Sequence, residues 1–528
     1  MPATLDIRPL QGEPTLSEPL RPLDIASLPE AVNLDFDDAA LANVTAVIEK
    51  GPYDATWESL RRFEAPQWYR DAKFGIFLHW GVQSVPAFAE WSSRDMYLEG
   101  SPAFEHHLAC YGNQKDFGYK DFIPSFTMEK FDPDAWAHLF RKAGAQFIVP
   151  VAEHHDGFAM YDTQRSRWKA PAMGPKRDVF GDLLAAGKRS SMIAGASSHR
   201  AEHWFFMNGG ARFDSDVLDP TFIDFYGPAQ REETSPHEQF LQDWLLRTVE
   251  IIDRYRPQVL WLDWWIEQSA FKPYLLQLAA YYYNRAAEWG REVVINYKWD
   301  AFAEGSAVYD IERGTMGGIR PDVWQSDTSV SKTAWFYVEG HDYKCTDDII
   351  AELVDVVAKN GVLLLNIGPK ADGTIAEPEV RLLESIGQWL SRNGEAVYGT
   401  RPWIIPSEGP TEQVIGSFVD GETPVFTAAD IRFTTRAHVT GDYLYATLLR
   451  SPSDSIARIR AWGTGAGLLL RQIKEVAVLG HKRPLQWRQT VDALEVSGFG
   501  DVLEGSGPVI KVFLQPEATQ PRGDFLHG

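Results

Sequence analysis

Residues 235–263 read SPHEQFLQDWLLRTVEIIDRYRPQVLWLD: a long stretch of helical periodicity, a short Arg-Pro break, four apolar residues and an acid. Ser235, Pro236 and Glu238 form a capping-box pattern ahead of the helical stretch. The run Val259–Leu262 is too short for a helix and has the length of a buried strand. A helix feeding such a strand is one unit of a β/α alternation. Working outward, the same pattern recurs on both sides. FGIFL precedes His79, FIVPV precedes His154, MIAGA precedes Ser197, VVIN precedes Lys298, AVYDI precedes Glu312, DVW precedes Gln325 and VLLLN precedes Gly368. With VLWL this makes eight strands, the number that closes a parallel barrel. Asp132 and Pro133 predict a cap and first turn for a connecting helix, and Gly144 predicts its end just before FIVPV.

Beyond about residue 425 the period changes to two, in IRFTTRA, DYLYATLL, IARIRAW, EVAVLG, ALEVSGF and VIKVFLQ. The fold class expected is therefore α/β, a (β/α)8-like catalytic barrel over 56–405 followed by a C-terminal β-sandwich over 406–528. Residues 1–55, rich in Pro, Leu and acids, read as an extended N-terminal arm. The Gly-rich GTGAGLLL at 463–470 falls among the C-terminal strands and reads as a turn.

Composition narrows the function. The chain has 528 residues, 44% hydrophobic and 23% charged, which is the profile of a globular protein with a large core. Its 73 acids against 51 bases give a net charge of −22, with no basic block to neutralise phosphates, so no nucleic acid partner is expected. The 19 Trp suit either a large aromatic core or stacking on the apolar faces of sugars. No apolar run is long enough to span a membrane, and no basic-then-apolar leader opens the numbering. A periplasmic or secreted protein would thus have lost its signal before residue 1. Cys110 and Cys345, the only cysteines, imply no disulfide framework and are expected to be buried thiols.

In a parallel barrel all strand C-termini meet at one face, where active sites are built. His79, Glu90, Trp91, His154, His155, Asp263, Lys298 and Glu312 would then share a pocket. Asp263, set between Trp261 and Trp264, is a carboxylate that persists among apolar groups only if paired or functional. Glu312 has Asp310 and Arg313 as near neighbours, so an ion-pair role competes with a chemical one. Two carboxylates across a sugar pocket suffice for glycoside hydrolysis, one attacking and one protonating, without a cofactor. The same face offers His79, His154, His155 and Asp263 to a metal. Adjacent histidines point apart and no two of these three histidines stand at HxH or HxxxH spacing, so the site is expected to hold none.

Four longer stretches carry a resemblance. WYRDAKFGIFLHWGVQSVPAFAEW at 68–91, EHHDGF at 153–158, GPKRD at 174–178 and VVAKNGVLLLNIGPKADGTI at 356–375 together resemble the α-L-fucosidases of glycoside hydrolase family 29. The resemblance implies a retaining, exo-acting enzyme that removes terminal α-L-fucose from an oligosaccharide or glycoconjugate. By position, it implies Asp263 as nucleophile and Glu312 as acid/base. It places His79, Glu90, Trp91, His154, His155 and Trp261 around the sugar, with Trp335 covering its methyl side. The chain departs from the family pattern at Glu153, where Lys is usual, at Lys298 in NYKW, where Arg is usual, and at Trp264, where Gly is usual. The common third-strand tyrosine is missing from a segment that reads Ser197, Ser198, His199. These departures leave an α-L-galactosidase, or a sugar-binding homologue without turnover, as alternatives.

Overall fold

The computed structural model describes residues 20–32, 37–230, 234–421, 424–499 and 507–515. Strands β1 (Phe74–Leu78), β2 (Phe147–Glu153), β3 (Ile193–Ser198), β4 (Val259–Leu262), β5 (Val294–Tyr297), β6 (Val308–Glu312), β7 (Trp324–Ser329) and β8 (Gly361–Ile367) close a parallel barrel in chain order. Pairing of Gly75 with Leu364 and of Leu78 with Ile367 joins β1 to β8 and seals it.

Strand parity sets what faces the lumen. On β4, Val259 and Trp261 pack with Phe77, Phe147, Val149, Val294, Val362 and Leu364 in one interior cluster, while Leu260 and Leu262 pack outward with the helices. Two residues beyond each inward position lies the next one. Phe77 is therefore followed by His79, Trp261 by Asp263, Asn296 by Lys298, Asp310 by Glu312 and Gln325 by Asp327. Apolar residues fill the lower layers, and the polar ones emerge where the strands end.

The helix Pro133–Lys142 starts as its sequence predicts, with the Asp132 carboxylate accepting from the Asp134 and Ala135 amides at 3.0 Å. The helix before β4 does not. It spans Glu238–Tyr255, and its cap is His237, whose Nδ1 accepts from the Phe240 amide at 3.1 Å. The Ser235 capping box is corrected accordingly, because the imidazole reaches the orphan amide first. The expected extended arm is also corrected in part, since Asp38–Lys50 is a helix that buries Val44 and Val47. Asp37 caps it, and Asn284 of the helix Lys272–Trp289 holds the chain just beyond it through the Tyr53 amide. The remainder of that expectation at 1–19 and 33–36 lies outside the described residues. Neither thiol is buried as expected: Cys110 is half-buried and Cys345 exposed, both free.

The C-terminal part consists of β9 (Arg401–Glu408), β10 (Ile431–His438), β11 (Gly441–Leu448), β12 (Ile456–Ile459), β13 (Ile473–Val478), β14 (Gln486–Gln489), β15 (Leu494–Ser497) and β16 (Val509–Leu514). A five-stranded antiparallel sheet, β13-β16-β11-β10-β9, faces a three-stranded one, β12-β15-β14, across a core that includes Trp403, Phe433, Trp462, Val496 and Ile510. Because β9 pairs with β10, it runs through the boundary expected at 405/406. Among the described residues no helix is long and apolar enough to cross a membrane.

The helix Thr346–Ala358 leads into β8 and packs against β9 and β10. Its buried Asp355 ties the two parts together. One carboxylate oxygen accepts from Arg432 Nε on β10 at 2.5 Å, and the other from Lys359 Nζ at 2.6 Å and Thr315 Oγ1 at 3.0 Å. Burial would raise the Asp355 pKa, but Arg432 and Lys359 outweigh it and hold the group below its ordinary value. A depressed carboxylate contributes stability above its unfolded pKa, near 3.9, and loses it as pH falls further. Asp355→Ala is predicted to lower stability by about 3–5 kcal/mol near neutral pH, because two buried cations lose their partner. The difference from wild type should shrink below about pH 4. Urea midpoints measured at pH 7 and pH 3.5 check both statements, and an unchanged midpoint at pH 7 would sink them.

Candidate active site

At the C-terminal mouth of the barrel, thirteen residues line one pocket. Ten are those singled out in the sequence: His79, Glu90, Trp91, His154, His155, Trp261, Asp263, Lys298, Glu312 and Trp335; Gln83, Trp264 and Asp327 join them. They come from the ends of β1, β2, β4, β5, β6 and β7 and from the loops that follow, as strand parity requires.

Lys298 is the centre of the arrangement. Its ammonium lies 2.5 Å from Glu312 Oε2, 3.4 Å from Asp327 Oδ2 and 3.6 Å from Asp263 Oδ1, and sits 4.7 Å above the Trp261 ring. Burial works against its charge, but Asp327, Glu312 and Asp263 outweigh that and raise its pKa well above the usual lysine value. It is a fixed cation.

Asp263 is almost fully buried, and both its oxygens have partners. Oδ2 accepts from His199 Nδ1 at 2.7 Å and lies 3.4 Å from His155 Nε2, while Oδ1 accepts from the Trp264 amide at 2.8 Å. Burial would push the Asp263 pKa up; His199 and Lys298 overcome it and hold the carboxyl well below the usual carboxylate range. The group is therefore ionised at any pH at which the protein would work.

His199 was noted in the sequence only as part of a departure, yet it touches the best-held carboxylate of the pocket. Its Nε2 lies 3.0 Å from Ser197 Oγ, so the Ser197 hydroxyl donates to it and the Nδ1 proton is left for Asp263. Burial lowers the His199 pKa, which favours this neutral tautomer. His155 is oriented in the same way, donating from Nδ1 to the His199 carbonyl at 2.7 Å. His79 donates from Nδ1 to Asn366 Oδ1 at 2.8 Å, turning its Nε2 toward the pocket.

Glu90 stabilises the opposite wall. Its Oε2 accepts from the Trp335 amide at 2.6 Å and the Phe336 amide at 3.2 Å, and burial pushes its pKa up to about 7. Asn366 Nδ2 donates to the Trp335 carbonyl at 2.7 Å, so that indole is held from both sides of its peptide. Trp91, 37% exposed, lies parallel to the His155 ring at 5.8 Å and forms the rim. Below the pocket, Asp310 accepts from Gln325 Nε2 at 2.7 Å and Trp261 Nε1 at 3.2 Å. Burial pushes the Asp310 pKa up to about 6, and burial together with Asp310 raises Asp327 well above its ordinary value, against the pull of Lys298.

Two sets of side chains bring ligand-type atoms within 4.8 Å of one another, His79 with His154 and His199, and His155 with His199 and Asp263. Both need His199, and both its nitrogens are already engaged by Ser197 and Asp263. The donor sets fit a hydrogen-bonding pocket better than a metal centre. Glu153, a departure from the family pattern, does not line the pocket; it pairs with Arg247 at 3.1 Å and with Arg200.

Comparison with known proteins agrees with this geometry. The α-L-fucosidase family matches residues 40–395. Human plasma α-L-fucosidase is 30% identical over 451 residues, covering 82% of this chain and 86% of that protein. Rat tissue α-L-fucosidase is 30% identical, covering 84% of this chain and 87% of its own. The crystal structure of Thermotoga maritima α-fucosidase in complex with fucose has a TM-score of 0.68 at 28% identity, covering 87% of this chain and all of that one. With a pocket of this composition at the mouth of an eight-stranded barrel, and relatives matched over most of its length, the chain belongs to the α-L-fucosidase family.

Proposed function

We propose that the protein is a retaining exo-α-L-fucosidase acting on the terminal α-L-fucose of an oligosaccharide or glycoconjugate. The observation that carries this reading is the placement of Asp263 and Glu312 against one ammonium. Their nearest oxygens can be no further apart than 3.6 Å and 2.5 Å laid end to end. That favours the short carboxylate spacing of retention, about 5–5.5 Å, over the roughly 6.5–9.5 Å that leaves room for a water in inversion.

In the first step an Asp263 oxygen attacks the anomeric carbon while the bond to the leaving oxygen breaks, and Glu312 gives that oxygen its proton. The product is a fucosyl ester of Asp263. Esterification removes the Asp263 charge, which leaves the Lys298 ammonium facing Glu312. In the second step Glu312 takes a proton from water, the water oxygen attacks the same carbon, and Asp263 departs as a carboxylate. Fucose leaves with its configuration retained. His79, His154 and His155 offer neutral ring nitrogens to hydroxyls, and Trp335 presents an apolar face that suits the C5 methyl group. The closed floor beneath Lys298 admits one terminal residue. We place its action in the periplasm or outside the cell, in keeping with the plasma name of the human relative; activity confined to the cytoplasmic fraction would contradict that.

Wild-type enzyme should hydrolyse an aryl α-L-fucoside in preference to the α-L-galactoside and α-D-galactoside, and a preference for either galactoside would overturn the substrate assignment. Asp263→Gly should lose turnover by several orders of magnitude while the pocket still binds fucose. Added azide should restore part of the rate by attacking from the vacated side, giving the inverted fucosyl azide, detectable by NMR. Near-wild-type activity in this variant would falsify the nucleophile assignment. Glu312→Ala should slow substrates with poor leaving groups by roughly 10²–10⁴-fold and activated aryl fucosides far less; equal losses on both would assign the proton to another group. Because His199 helps hold Asp263 ionised, His199→Phe should raise the Asp263 pKa and move the acid limb of the kcat/KM profile to higher pH. An unmoved acid limb would remove His199 from that role.

A further inference from the structure

The connection between β9 and β10 leaves the C-terminal sheets and lies along the chain that follows Glu312. Phe418 donates its amide to the Glu312 carbonyl at 2.9 Å, and Val419 donates to the Arg313 carbonyl at 2.9 Å. Gly416 and Thr315 exchange two backbone hydrogen bonds, at 3.1 and 3.2 Å. Gly314 allows the approach, since a Cβ there would lie 1.9 Å from the Gly416 carbonyl oxygen. A strand-like segment of the second domain thus backs the residue assigned to proton transfer.

The charges repeat the theme. Asp420 closes this segment, and it is buried with three partners. Arg313 Nε donates to Oδ1 at 3.0 Å, and Lys344 Nζ and Thr328 Oγ1 each donate to Oδ2 at 2.6 Å. Arg313, at φ 47°, has a left-handed backbone that a non-glycine residue keeps only when its surroundings hold it. Its guanidinium also donates to the Lys332 carbonyl at 2.6 Å and the Ser331 carbonyl at 3.2 Å, and lies 5.5 Å from the centre of the Trp335 ring. One side chain therefore links the acid/base residue beside it, the loop bearing the sugar-facing indole, and a carboxylate from the other domain.

From this we infer that Asp420 is a positioning residue for the proton transfer assigned to Glu312, acting through Arg313, so that the C-terminal domain supplies part of the leaving-group machinery. This rests on the acid/base reading of Glu312 given above. Without Asp420, the Arg313 fork loses its carboxylate partner, and the left-handed turn at Arg313, which sets the direction of the adjacent Glu312, loses one of the contacts that hold it. Attack by Asp263 would be little affected, because Lys298, His199 and the Trp264 amide hold that group from other elements.

The test is the full chain with Asp420→Asn, assayed on an activated aryl α-L-fucoside and on an α-L-fucosyl disaccharide. The expected result is a loss in kcat/KM of roughly tenfold or more on the disaccharide, with a change of at most about twofold on the aryl substrate. Asp420→Glu should recover part of the difference. If Asp420→Asn fails to fold by circular dichroism, Arg313→Lys replaces it. That variant keeps the buried charge but cannot span Asp420 and the two carbonyls, and should show the same selectivity. Equal losses on both substrates, or none, would reduce Asp420 to a structural tie and overturn the inference. Glu312→Ala is the control: if it shows no leaving-group selectivity, the acid/base reading falls and this inference with it. If it does and Asp420→Asn does not, only the inference falls.

Discussion

A lysine ammonium buried to 3% exposure, with carboxylates 2.5, 3.4 and 3.6 Å away, is the contact around which the rest of the pocket is arranged. Removing a charge from water is expensive, and the attraction of the partners offsets that only when geometry and hydrogen bonding are good. Lys298 meets the condition because three strands deliver its partners at one height, Asp263 just past the end of β4, Glu312 at the end of β6 and Asp327 within β7. Without the cation those acids would repel one another and at least one would have to take up a proton. With it, Asp263 and Glu312 can sit close together in one pocket. Its position over the Trp261 face adds a favourable cation–π contact and fixes the depth of the pocket floor.

The layer below sustains this arrangement. Tyr69 donates to Gln325 Oε1 at 2.8 Å, Asn296 Nδ2 donates to the Tyr69 hydroxyl at 3.0 Å, and Gln325 in turn donates to Asp310. Asp310 and Asp327 are both pushed above their ordinary pKa by burial, and Lys298 acts against that shift in each. Polar residues in a barrel interior are tolerated when they are paired, and here Asn296, Tyr69, Gln325 and Asp310 are joined donor to acceptor in sequence. The indole of Trp335 depends on the same continuity, since Asn366 bonds both its carbonyl and the His79 ring.

Much of this was legible because buried parallel strands leave apolar runs with sharp ends. FGIFL, VLWL and VLLLN each announce a strand, and the first two mark the residues, His79 and Asp263, that face the pocket. The signal fails where a strand is polar. β7 reads WQSDTS, buried throughout, and its apolar portion stops at Trp324, so the sequence reading ended the strand at Gln325 and missed Asp327. His199 was passed over for a related reason: it lies just past the end of β3, and its meaning depends on a carboxylate 64 positions away on another strand end. β9, which reads RPWIIPSE, carries two prolines and no clean alternation, and it went unrecognised along with β14. The Glu312–Asp420 region was invisible in principle, because no local pattern says that a loop of one domain will lie along a strand end of another.

The departures from the family pattern at Lys298 and at His199 have a common physical consequence. An arginine offers a planar fork that can serve two acceptors, whereas lysine is a point charge on a flexible stem. At 3.6 Å from Asp263 Oδ1, and with its shortest contact spent on Glu312, Lys298 supplies charge to Asp263 but no close hydrogen bond. A buried carboxylate held in one orientation needs directional donors as well. The His199 Nδ1–H at 2.7 Å supplies one, on the other oxygen, and the Trp264 amide supplies a second. Ser197 fixes the tautomer that makes the imidazole a donor. The His199 ring, just past the end of β3, packs against Phe77 and Trp261 while its Nδ1 meets Asp263. The two exchanges therefore act together on Asp263: charge from Lys298 and direction from His199.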